Sequence, residues 1–237
     1  MGLSAVRVAA RGRFALLGAW PIAGQAEPSL IAPATEAPSD RLLEVAMSAV
    51  SSARSTDLGW LSDRSRDRIP CIWPGEHYKL LAGVVSVLRP KTIVEIGTAT
   101  GTSALAMKSA MPEDGKITTF DLLTWRDHPS AVLLEDDFAD GRLEQRSDDL
   151  STPAGWRANA DVLQRADLIF VDAKHDGHQE REFLRGFDEV GLLNAPLVVF
   201  DDIRVWGMLG FWREIERPKL DLTSFGHWSG TGMVDYS

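Results

Sequence analysis

The sequence predicts an α/β fold in which a doubly wound, mostly parallel sheet carries helices on both faces. Three observations lead there. Short apolar runs alternate along the chain with stretches of helical spacing, the pattern of a parallel sheet with right-handed crossovers. The runs Ile93-Val94, Leu168-Ile169-Phe170-Val171 and Leu197-Val198-Val199-Phe200 are continuous rather than alternating, which suits strands buried on both faces. Each run gives way to acids: Glu95 at the end of the first, Asp172 and Asp201-Asp202 after the others.

In chain order, residues 1–39 read as an N-terminal extension and 40–237 as one domain. Arg7, Arg11 and Arg13 precede the first acid, Glu27, and Phe14 to Gly24 is mildly apolar. That is the order of a secretory signal, but Pro21 interrupts the apolar run, and a poorly ordered tail is the preferred reading. Ala32 to Ser39, rich in Pro and Ala, reads as a linker.

Asp40 is the expected N-cap of a helix reaching Ser52. Ser55 to Pro74 reads as a loop. Leu80, Leu81, Val84, Val85 and Leu88 fall at helical spacing, so Glu76 to Leu88 is a helix, stopped by Pro90. Strands follow at Thr92–Ile96, Lys116–Phe120, Leu143–Gln145, Asp167–Val171 and Pro196–Phe200. Between and after them the spacing predicts helices at 102–110, 130–138, 152–164, 180–189 and 205–216. The last stretch suggests two short strands flanking Gly226 to Gly232.

Composition narrows the function. At 237 residues, the chain buries a full core without staples. Cys71 is the only cysteine, so there is no intrachain disulfide and no thiol metal site, and a reducing cytoplasm is the expected compartment. The formal charge of −9 argues against nucleic acid held through its phosphates. No stretch of ~20 apolar residues suggests a membrane span.

The segment Thr92-Ile93-Val94-Glu95-Ile96-Gly97-Thr98-Ala99-Thr100-Gly101-Thr102-Ser103 has the layout of a strand, a nucleotide-binding turn and a helix. Glycines at 97 and 101 allow close backbone approach, and the helix N-terminus favours an anion. A dinucleotide fingerprint needs Gly-x-Gly-x-x-Gly; Ala99 and Thr102 occupy its second and third glycine positions, so it fails. The spacing Glu-x-Gly-x-x-x-Gly resembles motif I of the class I S-adenosylmethionine (SAM) dependent methyltransferases, in their O-methyltransferase branch.

This resemblance implies a Rossmann-like seven-stranded sheet with a C-terminal antiparallel hairpin. It also implies that Gly97, Thr98, Ala99, Thr100, Gly101 and Ser103 wrap the methionine part of SAM, with Glu95 organising the loop. Asp121 would accept from the ribose hydroxyls, as a carboxylate does well. Ser147 and Asp148 would sit near the adenine, unless Asp148 simply caps a helix.

A second constellation is Val171-Asp172-Ala173-Lys174-His175-Asp176 with Phe200-Asp201-Asp202. It is similar to the divalent-metal site of catechol-type and natural-product sugar-type O-methyltransferases. The resemblance implies that Asp172, Asp201 and Asp202 hold Mg²⁺ or another divalent cation, with Asp172 also near the cofactor. Methyl transfer from a sulfonium lacks only a good oxygen nucleophile, and a hard cation lowers the pKa of a bound hydroxyl. His175 is the first candidate for the base and Lys174 the second, because an imidazole titrates near neutrality unaided. The plainer reading is that these acids cap helices, Asp202 especially.

The stretch Ser224 to Gly232 could line a pocket, or form a tight hairpin buried against the sheet or at a homodimer contact. Ile72 to Tyr78 reads as a lid, with His77 and Tyr78 as minor contacts. Trp206 reads as an apolar wall. The expectation is a SAM-dependent O-methyltransferase, Mg²⁺-assisted, acting on a hydroxyl of a small molecule. The alternatives are a SAM-binding module without catalysis and a metal-dependent enzyme of the hydroxylase type.

Overall fold

A computed structural model describes residues 37–64 and 76–237. Residues 1–36 of the N-terminal extension, with its signal-like segment, and Cys71 lie outside the described residues, as do positions 65–75 of the expected loop and lid.

Helix α1 spans Asp40–Ala53. Its cap is Ser39, one residue before the expected Asp40: Ser39 Oγ accepts from Leu42 N at 3.2 Å, which leaves Asp40 in the first turn, where an acid suits the helix dipole. The expected loop contains a short helix, α2 (Gly59–Arg64), around buried Leu61. Helix α3 (His77–Leu88) ends where Arg89 turns left-handed (φ 50°) before Pro90. Helix α1 lies close against it because Gly83 has no side chain: a Cβ there would meet Ala49 O at 2.4 Å.

The sheet is built from β1 (Thr92–Ile96), β2 (Lys116–Phe120), β3 (Leu143–Arg146), β4 (Leu168–Val171), β5 (Leu197–Asp201), β6 (Lys219–Asp221) and β7 (Thr231–Asp235), in the order β3-β2-β1-β4-β5-β7-β6. The first five are parallel; β7 runs antiparallel between β5 and β6. This is the Rossmann-like, mostly parallel seven-stranded sheet with the C-terminal antiparallel pair. Alternate residues feed two cores. Ile93, Leu168, Phe170, Leu197 and Val199 pack toward α1 and α3. Val94, Ile96, Ile169, Val171, Val198 and Phe200 pack on the other face. Both faces are covered, which is why Leu168–Val171 and the first four residues of β5 form continuous apolar runs.

The remaining helices are α4 (Thr102–Ala110), α5 (Pro153–Ala158), α6 (Ala160–Gln164), α7 (His178–Val190) and α8 (Met208–Glu214). Three departures from expectation have local causes. No α-helix forms over 130–138: Val132 N is spent on Thr100 O at 2.9 Å and Leu134 N on Asp137 Oδ2 at 2.8 Å, so only a 3-10 turn at Glu135–Asp137 remains. The helix expected over 152–164 breaks at Asn159, whose side chain binds Gly155 O and accepts from Arg146. Helix α8 starts late because Val205–Gly207 forms a turn, with Trp206 left-handed (φ 45°) and Gly207 against Asp176 O. Among the described residues, no helix is long and apolar enough to cross a membrane.

Candidate active site

The carboxyl ends of β1, β2, β4 and β5 meet along one rim, where open α/β sheets bind ligands. Left-handed backbone collects there too. Of the non-glycine residues with positive φ, Ala99 (40°), His175 (58°), Asp202 (56°) and Trp206 (45°) all follow these strands. Such conformations are costly for residues with a Cβ and concentrate at functional sites.

A pocket of about 250 Å³ opens beside β1, β2 and β4, lined in part by Gly97, Ala99, Asp121, Asp148, Asp172 and Lys174. Gly97 (φ 103°) is packed so tightly that a Cβ would lie 1.7 Å from Asp172 O. Asp121 holds the pocket edge, accepting from Ala99 N at 2.9 Å and from Leu123 N at 3.0 Å. Each carboxylate oxygen keeps a further lone pair for a ligand hydroxyl.

The other loop candidates are engaged within the protein. Thr98 Oγ1 pairs with Thr119 Oγ1 at 2.7 Å, and Thr100 Oγ1 with Thr102 Oγ1 at 2.8 Å. Gly101 lies under Leu133, whose side chain a Cβ would strike at 2.2 Å. Ser103 Oγ donates to Glu95 Oε1 at 2.5 Å, and both are buried beneath the loop. Burial lifts the Glu95 carboxyl to about 8, against the hydrogen bonds from Ser103 and Thr119. Ser147 and Asp148 part company: Asp148 lines the pocket, while Ser147 lines a separate depression with Lys116 and Trp125.

Beside the pocket lies an acidic cluster. His175 stands between Asp172 and Asp202, its Nε2 3.1 Å from Asp172 Oδ1 and its Nδ1 3.4 Å from Asp202 Oδ2. Burial opposes its imidazolium, but Asp172, Asp202 and Asp201 outweigh burial and lift it to about 9. Burial and the charge of Asp201 push Asp172 up to about 6, and the same two causes raise Asp202. Lys174 turns outward to Asp176 at 2.9 Å, which holds its ammonium protonated.

Three residues of this site carry no strong local signal in sequence. Glu180, fully buried on α7, accepts from His175 N and Gly177 N, each at 2.8 Å, and so fixes the loop after β4. Its one signal is the Gly-x-x-Glu spacing at a helix start. His227 Nε2 lies 2.5 Å from Asp201 Oδ1, and Ser229 Oγ meets its Nδ1 at 2.5 Å. His77, at the start of α3, is 2% exposed with Nδ1 3.8 Å from Asp201 Oδ1. Of the two readings of the 224–232 stretch, burial against the sheet describes His227 and Ser229, while Phe225 and Trp228 are exposed.

The donor set fits a divalent cation. Carboxylates crowd at adjacent strand ends, and the charge of Asp201 helps to raise both Asp172 and Asp202, a repulsion that a cation relieves. Ligand atoms of Asp172, His175 and Asp201 lie within 4.8 Å of one another, as do those of His77, Asp201 and His227. Asp202 belongs to neither group; its carboxylate faces His175 and, at 3.9 Å, His227 Nε2.

Residues 94–203 match the methyltransferase domain family. The fold is similar to a methyltransferase from Geobacter sulfurreducens (15% identity, TM-score 0.54, covering 76% of this chain and 89% of that one). It is similar to a Staphylococcus aureus protein provisionally assigned as a caffeoyl-CoA O-methyltransferase (15%, 0.56, 82% and 100%). A third is the SAH-bound methyltransferase PaMTH1 from Podospora anserina (17%, 0.50, 82% and 88%). No curated protein matches the sequence. Sheet order and structural neighbours together define the fold, the class I, Rossmann-like fold of methyltransferases, and the family match places a methyltransferase domain at residues 94–203.

Proposed function

We propose that this chain transfers the methyl group of SAM to a hydroxyl oxygen of a small molecule, with a divalent cation, Mg²⁺ in the first instance, at the acidic cluster. The observation that carries the reading is the position of Asp172. It lines the 250 Å³ pocket and also sits 3.1 Å from His175, so a methyl donor in the pocket and a proton acceptor in the cluster share one wall. SAM supplies an activated methyl on sulfur, and the cation supplies positive charge that acidifies the acceptor hydroxyl.

Asp172 and Asp201 hold the cation and Asp202 orients His175 through Nδ1. His175 accepts the hydroxyl proton at Nε2. Uncompensated, the surrounding carboxylates keep its proton up to about 9; neutralising them frees the ring nitrogen nearer to neutrality. Lys174 is the lesser candidate for base, being tied to Asp176. Gly97, Ala99, Asp121 and Asp148 form the cofactor side. Trp206, 79% exposed with its ring 6.3 Å from that of His175, offers an apolar wall to the acceptor.

Calorimetry with S-adenosylhomocysteine, with Mg²⁺ and with chelator, tests both halves alongside turnover on phenolic and sugar acceptors. Expected is binding in either condition and turnover only with the cation. Absence of binding overturns the SAM reading; equal turnover in chelator overturns the metal role. Asp201→Ala is expected to abolish turnover and leave S-adenosylhomocysteine affinity nearly unchanged. Binding without turnover on any hydroxyl acceptor favours the non-catalytic module.

A further inference from the structure

We propose that His77, Asp201 and His227 form a second cation site, rich in nitrogen, that takes a borderline transition-metal ion such as Zn²⁺ rather than Mg²⁺. All three side chains are buried: 2% exposed for His77, 6% for Asp201 and 5% for His227. Their ligand atoms lie within 4.8 Å of one another. They come from three separate elements, the start of α3, the end of β5 and the loop before β7.

The distances suit a small ion. Donors bonded to zinc at ~2.0–2.1 Å in a tetrahedral set lie ~3.3 Å apart. His227 Nε2 and Asp201 Oδ1 are 2.5 Å apart and His77 Nδ1 is 3.8 Å from that oxygen, so a change of less than about 1 Å brings each of these two separations to that value. The His77 and His227 rings stand at 89° with centroids 4.6 Å apart. Ser229 Oγ, on His227 Nδ1, fixes the ring and its tautomer as an outer partner does for a metal-bound imidazole.

An independent observation points to a ligand. Buried His77 Nδ1, the ring atom that faces Asp201, has only long contacts, 3.4 Å to Thr231 Oγ1 and 3.8 Å to Asp201 Oδ1. Buried polar groups are almost always satisfied, and an unpaired imidazole costs stability unless something binds it. Two imidazoles and one carboxylate favour zinc, iron or nickel; Mg²⁺ prefers an all-oxygen octahedron. The site ties α3 to the loop at 222–230, which Glu76 N also meets at Phe225 O, 3.2 Å. It adds to the methyl-transfer reading without depending on it.

Titration of the untagged, chelator-stripped chain with Co²⁺ tests the site. Expected is visible d–d absorption that excess Zn²⁺ abolishes and excess Mg²⁺ leaves intact. His77→Gln and His227→Gln are expected to weaken Co²⁺ binding at least ~10-fold, while Asp172→Asn retains the spectrum. Pulsed EPR on the Cu²⁺-loaded wild-type chain reads ligation with no substitution, and modulation from two imidazoles is expected. Absence of d–d bands, modulation from fewer than two imidazoles, displacement by Mg²⁺, or loss of the spectrum in Asp172→Asn overturns the proposal. Failure here leaves S-adenosylhomocysteine calorimetry unaffected, so the two readings fail separately.

Discussion

His227 and Asp201, 26 positions apart in sequence, meet side chain to side chain at 2.5 Å beneath the end of β5. Burial opposes the charge of Asp201, but His77 and His227 overcome it and hold the carboxyl below its ordinary range. For His227, burial works against protonation, and Asp201 reverses that and raises its pKa. The pair pins the 222–230 loop to the strand that carries the acidic cluster.

His227→Ala therefore strands a buried carboxylate. A loss of about 3 kcal/mol is expected, read as a lower urea midpoint at unchanged slope. A loss under ~0.5 kcal/mol, the range of ordinary surface substitutions, would mean that solvent replaces the contact.

Gly97→Ala tests the tight approach of β1 to β4. At φ 103° and with a Cβ placed 1.7 Å from Asp172 O, the substitution is expected to cost more than ~3 kcal/mol or prevent folding. Gly141→Ala is the control. It has φ 71° but nothing within 4 Å of the added atom, so only the ~1 kcal/mol of left-handed strain is expected. Equal denaturation midpoints for the two variants would contradict the packing argument.

Glu95 makes stability depend on pH. Burial raises its carboxyl from 4.5 to about 8 in the folded chain. Between those values the unfolded chain has lost a proton that the folded chain keeps, so stability falls as pH rises through that window and levels off above it. Against Glu95→Gln, which cannot ionise, the wild type is expected to lose stability from about pH 5 to about pH 8. Denaturation curves of the two proteins at several pH values check this, and a parallel pH dependence would refute it.

Asp121→Ala probes the pocket edge. Losing charge-assisted hydrogen bonds to ligand hydroxyls is expected to weaken S-adenosylhomocysteine binding by ~10–100-fold, or ~1.5–3 kcal/mol. The thermal midpoint should shift little, since Asp121 bridges only Ala99 N and Leu123 N at an exposed rim. Unchanged affinity by calorimetry would remove Asp121 from the cofactor side.

Sequence was most informative where burial is local. The run Thr92–Ile96 is a strand with the expected boundaries, because a strand covered on both faces favours apolar residues at successive positions, as at Ile93 and Val94. It was least informative where backbone donors leave their own segment. Val132 and Leu134 have a helical neighbourhood of apolar residues, yet Thr100 O and Asp137 Oδ2 take their N–H groups. Asp148 and Ser147 are adjacent in sequence and line different depressions, a separation that no local pattern encodes.

Sequence by itself determined the mostly parallel sheet, the Gly97–Gly101 turn and the acids at the ends of β1, β2, β4 and β5, since strand periodicity and turn glycines are properties of neighbouring residues. Only the tertiary structure decided which acids have partners. It set His175 between Asp172 and Asp202, turned Lys174 out to Asp176, and brought His77 and His227 to Asp201. A buried charge is stabilised by whatever the fold places within a few ångströms, and in this protein those groups come from distant parts of the chain.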